Sequence, residues 1–327
     1  MTGPAPGTAE VVRFDLLGPP VLSRSAVLRD EKLRTDTARQ RAGWPTARRL
    51  VVDDAGRAPV AWTGRPPEGP WGMDTDGTAR LVTVPTAGDG PPAEAVLLGE
   101  ADGTAYWAVR EELVPGEDPV DRADLRTAGA ALDALGAGLL TTAVAILNWH
   151  DTARFCGRDG SPTRPGAAGW HRVCEAQGHE DYPRTDPAII CLVHDGAERV
   201  LLARQPVWPE GRFSVLAGFV EAGESLEACV LREIHEEVGV PVRDVSYLGS
   251  QAWPFPRSLM IGFQAVADAD APLRPAEGEI AEAMWVTRDE LRAALAAGDW
   301  GAAGSALKLP GKVSIARAML EAWAADG

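Results

Sequence analysis

Glu233, Glu236 and Glu237 lie within five residues of one another in the stretch GFVEAGESLEACVLREIHEEVGV, which runs from Gly218 to Val240. On a helix, Glu233 and Glu237 are separated by about 40° at roughly 100° per residue, with Glu236 close on the other side of Glu233. Three carboxylates then share one edge, and like charges at that spacing repel one another. A hard divalent cation, Mg²⁺ or Mn²⁺, offsets that repulsion. It takes carboxylate and water oxygens together with substrate phosphates, and it can activate a water and clamp a leaving oxygen. The chemistry that suits such an edge is hydrolysis of a diphosphate. A solvated acidic helix edge is the plainer alternative, but it explains neither the flanking glycines nor the placing of Arg232.

A second constellation follows from Cys156 and Cys174. Asp159 lies three residues after the first and His171 three before the second. All four are zinc-ligand types, and C-x₂-D with H-x₂-C reads as two facing knuckles. His179 is a substitute ligand, and a metal-free, hydrogen-bonded loop pair is the competing reading. A third runs from Ser250 to Met260, SQAWPFPRSLM, where Trp253 and Phe255 between prolines form a rigid aromatic platform able to stack a purine or nicotinamide ring. A buried turn or a subunit contact would use the same residues.

The elements that must hold these groups can be read from capping and periodicity. Ser225 is a helix N-cap, the helix runs from Leu226 and stops at Gly239, and Val230, Ile234 and Val238 make its apolar stripe. Residues 188–202 form two strands around the Asp195-Gly196 turn, and 213–216 is a strand leading into the glycine turn. Strands are also expected at 247–250 and 258–267, and helices at 288–297 and 315–323. Upstream, 50–52, 81–84, 95–98 and 106–109 read as strands and 125–147 as a helix, with no chemical constellation among them.

At 327 residues, with a net charge of −15, the chain suits two main domains, with a small module between them. Only Lys32, Lys308 and Lys312 are lysines, and so acidic a surface excludes a broad electrostatic grip on nucleic acid. No apolar run reaches membrane-spanning length and the N-terminus has no basic start followed by an apolar core, so a cytoplasmic protein without membrane attachment is expected. Four cysteines do not make a disulfide framework.

The 218–240 stretch resembles the complete Nudix box: Gly218, Glu224, Arg232-Glu233, Ile234, Glu236-Glu237, Gly239 and Val240 stand at its spacing. Ser250 to Ser258 is similar to the SQxWPFPxS signature of the NADH pyrophosphatases within that superfamily. Tyr182-Pro183-Arg184, Leu216 to Glu221 and Ser314 to Arg317 also look like that family. The likeness is good over residues 148–321 and weak before them.

The fold this implies is α+β: a C-terminal Nudix α/β/α sandwich at 185–327, a small zinc-ribbon-like module at 150–184 and an N-terminal α+β domain at 1–149. The resemblance further implies that the main-chain oxygen of Ala217 and the carboxylates of Glu233, Glu237 and Glu279 hold Mg²⁺ or Mn²⁺, with Glu236 assisting. Glu224 and Arg232 brace the loop against the helix. Gln251, Ala252, Trp253, Pro254, Phe255, Pro256, Arg257 and Ser258 bind substrate, with Ala316 in contact and Tyr182 and Phe219 stacking on a base. Two departures stand out. The family carries two CxxC pairs, where this chain has Asp159 and His171 at the inner positions, and Ala252 replaces the motif proline. Zn²⁺ occupancy and the stiffness of the platform depend on them.

The expected reaction is hydrolysis of NADH or NAD⁺ to the nicotinamide mononucleotide and AMP by a homodimer. The alternatives are an NAD-capped RNA 5′ end cleaved by the same chemistry, ADP-ribose as substrate, and a nucleotide-sensing regulator without turnover.

Overall fold

The computed structural model describes residues 13–66, 77–112, 120–298, 300 and 304–326. The chain divides into two compact units. One comprises Met1–Pro19, Pro187–Ser250 and Met260–Gly327, and the other Pro20–Asp186 with Gln251–Leu259. No helix among the described residues is long and apolar enough to cross a membrane.

The first unit is built on a six-stranded sheet. Five strands lie in the order Val242–Trp253, Ser258–Ala267, Asp186–His194, Arg199–Arg204 and Glu282–Thr287, and Leu216–Phe219 pairs with Asp186–His194. The two strands expected within 188–202 appear as the antiparallel pair Asp186–His194 and Arg199–Arg204. Helix Arg288–Ala297 starts with a capping box, Thr287 with Glu290, and falls where the sequence places it. The terminal helix Ile315–Ala325 continues two residues beyond Trp323. Ile190, Leu192, Val200, Leu202, Met319 and Trp323 belong to one buried core.

One strand is displaced from its expected place. The strand read at 213–216 forms at Leu216–Phe219, antiparallel to 188–191, with Gly218 opposite Ile189. The glycine thus belongs to the strand itself. Its backbone becomes part of the wall that the acidic helix faces.

Among the described residues the second unit holds three small sheets. One orders Val84–Pro85, Arg48–Val52, Thr104–Arg110 and Val96–Ala101; a second orders Thr78–Leu81, Ala58–Thr63 and Asp121–Ala123. The run at 81–84 divides between two of these strands. The single helix expected over 125–147 is two, Leu125–Ala128 and Ala134–Thr152, because Asp133 caps the second by accepting from the Gly136 N–H. A three-stranded sheet of Thr163–Gly166, His171–Cys174 and Glu180–Asp181 carries the cysteine loops.

Candidate active site and metal cluster

The acidic helix occupies Leu226–Val238. Ser225 Oγ accepts from the Ala228 N–H at 3.2 Å, and Gly239 ends the helix in the left-handed region at φ 76°. Cys229, Val230, Ile234, Val238 and also Glu237 are buried. A Cβ on Gly218 would lie 1.9 Å from the Glu233 carboxyl carbon, so only glycine lets that carboxylate approach the strand backbone.

Arg232 organises the edge. Its Nε and Nη2 donate to the two Glu224 oxygens, each at 2.8 Å, and Nη2 also donates to the Phe219 carbonyl at 3.0 Å. Nη1 donates to Glu233 at 2.9 Å and Glu236 at 3.1 Å. The paired guanidinium, helped by the Glu221 N–H, holds the Glu224 carboxyl down at about 2.

Glu237 is the opposite case. It is 7% exposed and its Oε2 has no hydrogen-bond partner. Burial first, then the charges of Glu233 and Glu279, push its carboxyl up to about 8, while an Ala217 backbone hydrogen bond pulls it partly back. These three glutamates border a cavity of about 500 Å³ together with Arg232, Gly218 and the exposed ring of Phe219. An orphaned buried carboxylate oxygen beside two more carboxylates is a donor set that suits a hard divalent cation. Glu236 is turned to Arg232 and does not line the cavity.

The Glu224–Arg232 brace carries two expectations. Arg232→Ala is expected to lower turnover about 10- to 100-fold by loosening Glu233, with an unchanged circular dichroism spectrum. Because Glu224 titrates below its ordinary 4.5, the brace is complete above that value and is lost as pH falls towards 2. The urea midpoint of the wild type should therefore fall more steeply over that window than that of Glu224→Gln.

Of the other expected substrate residues, Ala316 is 1% exposed inside the core of its unit, with its N–H donated to Ser314 Oγ. Gln251 is 1% exposed and its Oε1 accepts from the Leu22 N–H at 3.3 Å, which gives it a bracing role within its own unit. Trp253 and Phe255 meet edge to face at 4.9 Å, with the Arg126 guanidinium 3.8 Å over Phe255. The Phe255–Pro256 bond is cis. Pro254 is buried, Ala252 and Pro254 line a second cavity with Arg257 and Ser258, and Arg257 pairs with Asp186 at 2.7 Å. Tyr182 is exposed, donates to Glu180 and packs edge-on against His171.

In the cysteine loops, Cys156, Asp159, Cys174 and His179 bring one ligand atom each within 4.8 Å of all the others. Cys174 Sγ lies 3.5 Å from Asp159 Oδ2 and Cys156 Sγ 3.8 Å from His179 Nδ1. His171 is not in the cluster, which corrects the expected ligand set. It is on a strand three residues from Cys174, a separation that points the two side chains to opposite faces, and it pairs with Gly166. The two loops share a hydrogen-bond pattern. Cys156 N–H donates to the Ser161 carbonyl and Gly160 N–H to the Cys156 carbonyl; Cys174 N–H donates to the His179 carbonyl and Gly178 N–H to the Cys174 carbonyl. Both glycines have φ near 70°. Gln177, not His171, therefore occupies the position in the second loop that Asp159 occupies in the first, and His179 supplies the missing side chain. The repeat C-x-x-[D/Q]-G was the sequence signal for this.

Comparison with known proteins matches three family models in succession: an NADH pyrophosphatase-like rudimentary NUDIX domain at residues 40–149, an NADH pyrophosphatase zinc ribbon domain at 151–182 and a NUDIX domain at 184–305. The NAD-capped RNA hydrolase NudC of Mycobacterium tuberculosis (strain ATCC 25618 / H37Rv) is 53% identical over 319 residues, 96% of this chain and 97% of that protein. The mitochondrial NAD(P)H pyrophosphatase NUDT13 of Mus musculus is 42% identical over 205 residues, 61% of this chain and 58% of that protein.

Proposed function

Because the chain belongs to the NADH pyrophosphatase and NAD-capped RNA hydrolase family of Nudix hydrolases, we propose that it hydrolyses the diphosphate of NAD(H) and of NAD-capped RNA ends, releasing nicotinamide mononucleotide. From the free dinucleotide the second product is AMP. The observation that carries this reading is the buried, unpartnered Glu237 oxygen beside Glu233 and Glu279 at the cavity.

Glu233, Glu237, Glu279 and the main-chain oxygen of Ala217 are the groups that would hold the divalent cation, Mg²⁺ or Mn²⁺. When bound, the cation supplies positive charge against the phosphate oxygens and acidity to the attacking water. The side chains do the rest. Arg232 fixes Glu233, and Glu224 fixes Arg232 against the Phe219 carbonyl, so the carboxylates are set before substrate arrives. Of the two candidate bases we assign the water proton to Glu237, which lines the cavity, a reading supported by the pairing of Glu236 with Arg232. The exposed Phe219 ring is the group at this cavity that we assign to stacking on a base. Cys156, Asp159, Cys174 and His179 hold Zn²⁺ as a structural site. The four free cysteines fit a cytoplasmic location, and we assign a homodimer from the family likeness.

Product analysis with Mg²⁺ or Mn²⁺ on NADH, NAD⁺, ADP-ribose and a capped RNA is the test. Mononucleotide from NADH and from the capped RNA is the expected result. Tight NADH binding without products under every metal would replace the hydrolase with a sensor.

A further inference from the structure

Within the unit formed by Pro20–Asp186 and Gln251–Leu259 lies a cavity of about 340 Å³ whose lining, among the described residues, contains four arginines and no acidic residue. In a chain with 47 Asp and Glu against 32 Lys and Arg, that is a strong local reversal of charge. The arginines are Arg24, Arg29, Arg184 and Arg257. Asp186 is shared between Arg184 at 3.6 Å and Arg257 at 2.7 Å, so one carboxylate serves two guanidiniums. Arg24 donates to the carbonyls of Val21 at 3.0 Å and Leu132 at 2.9 Å, neutral acceptors that leave its charge in place. Arg29 makes no ion pair among the described residues, and burial lowers its basicity with no carboxylate to restore it. Clustering like charges without counter-charge is unfavourable unless an anion completes the group.

The remaining lining gives the anion a shape. Ser25, Thr141, Thr142 and Ser258 add hydroxyls, and Thr141 Oγ1 is buried without a partner. Trp170 and Pro254 add apolar surface, and the Arg34 guanidinium covers the Trp170 ring at 3.5 Å. Guanidinium, hydroxyl and indole together suit a phosphate ester carrying a base or sugar. One wall is Ala252, Pro254, Arg257 and Ser258, part of the segment assigned above to substrate.

We propose that this cavity is a phosphate-binding site for phosphodiesters of an RNA chain. The proposal rests on the hydrolase reading given above. An acidic protein has no broad electrostatic surface for RNA, and a confined arginine pocket gives it a grip on a few phosphodiesters and on little else.

The test uses full-length protein carrying Glu237→Gln so that binding is read without turnover. The probes are a short 3′-fluorescein-labelled NAD-capped RNA, followed by anisotropy, and unlabelled NAD⁺, followed by calorimetry. Arg29→Ala, added to that background, is expected to weaken the RNA about 3- to 10-fold and to flatten the dependence of log Kd on log salt by roughly 0.7 for one lost phosphate contact, with NAD⁺ unchanged. Arg29→Lys should restore most of both. Equal weakening for NAD⁺ would keep the anion site but assign it the dinucleotide's own phosphates, overturning the RNA assignment. An unchanged Kd and salt slope for both ligands in Arg29→Ala and in Arg184→Ala would overturn the site. The hydrolase reading fails separately: if protein with Glu237 intact releases no mononucleotide but RNA binding still depends on Arg29, the pocket stands and the hydrolysis does not.

Discussion

Glu237→Gln should cost on the order of a thousandfold or more in kcat for NADH while leaving the protein folded. The substitution keeps the shape of a side chain that is 7% exposed and removes only its charge. Its effect on stability has the opposite sign. A carboxyl raised to about 8 by burial and by Glu233 and Glu279 penalises the folded state as pH climbs from its ordinary 4.5 towards 8. Without divalent metal at neutral pH, the variant should therefore melt above the wild type, and at pH 4 the two should converge. Scanning calorimetry and initial rates measure both. A variant that keeps more than a tenth of the wild-type rate would remove Glu237 from the chemistry.

Loss of zinc is expected to follow His179 and to ignore His171. His179→Ala removes one of four ligands gathered within 4.8 Å and should weaken zinc at least about a hundredfold, whereas His171→Ala, on the far face of its strand, should keep full metal content. Metal analysis of protein purified without chelator, with the melting temperature of each variant, separates the two. Zinc lost from His171→Ala alone would restore the original ligand set. No zinc in the wild type would leave the loops held by the sulfur contacts Cys174–Asp159 and Cys156–His179.

The acidic helix was legible because its chemistry fixes residue types at fixed spacing: cap, apolar stripe, carboxylates and terminal glycine fall where the sequence puts them. Three of the four expected zinc ligands gather in the cluster, and the fourth, His171, gives way to the substitute His179 for a physical reason. Two ligand types three residues apart make a knuckle only in a turn, and residues 171–174 are a strand. The displaced strand at 216–219 depends on pairing with 188–191, a tertiary preference that local alternation does not reveal. Upstream of residue 150 the match to a rudimentary NUDIX domain left only a weak likeness in the sequence, because that region lacks the glutamate spacing found at 233–237. Helix Ala134–Thr152, by contrast, was visible because it is apolar nearly all round and mostly buried.

The excursion of Gln251–Leu259 into the unit that otherwise ends at Asp186 sets an order of events during synthesis. A ribosome that has released residues as far as Asp186 has not yet made the segment carrying Gln251, whose side chain holds the Leu22 N–H across 229 positions. The other unit waits in a similar way, since Phe14 bonds Gln264 across 250 positions. Neither unit can therefore be complete before Leu259 has been made, and a fragment cut at the Asp186–Pro187 boundary would leave both without a piece of their own interior.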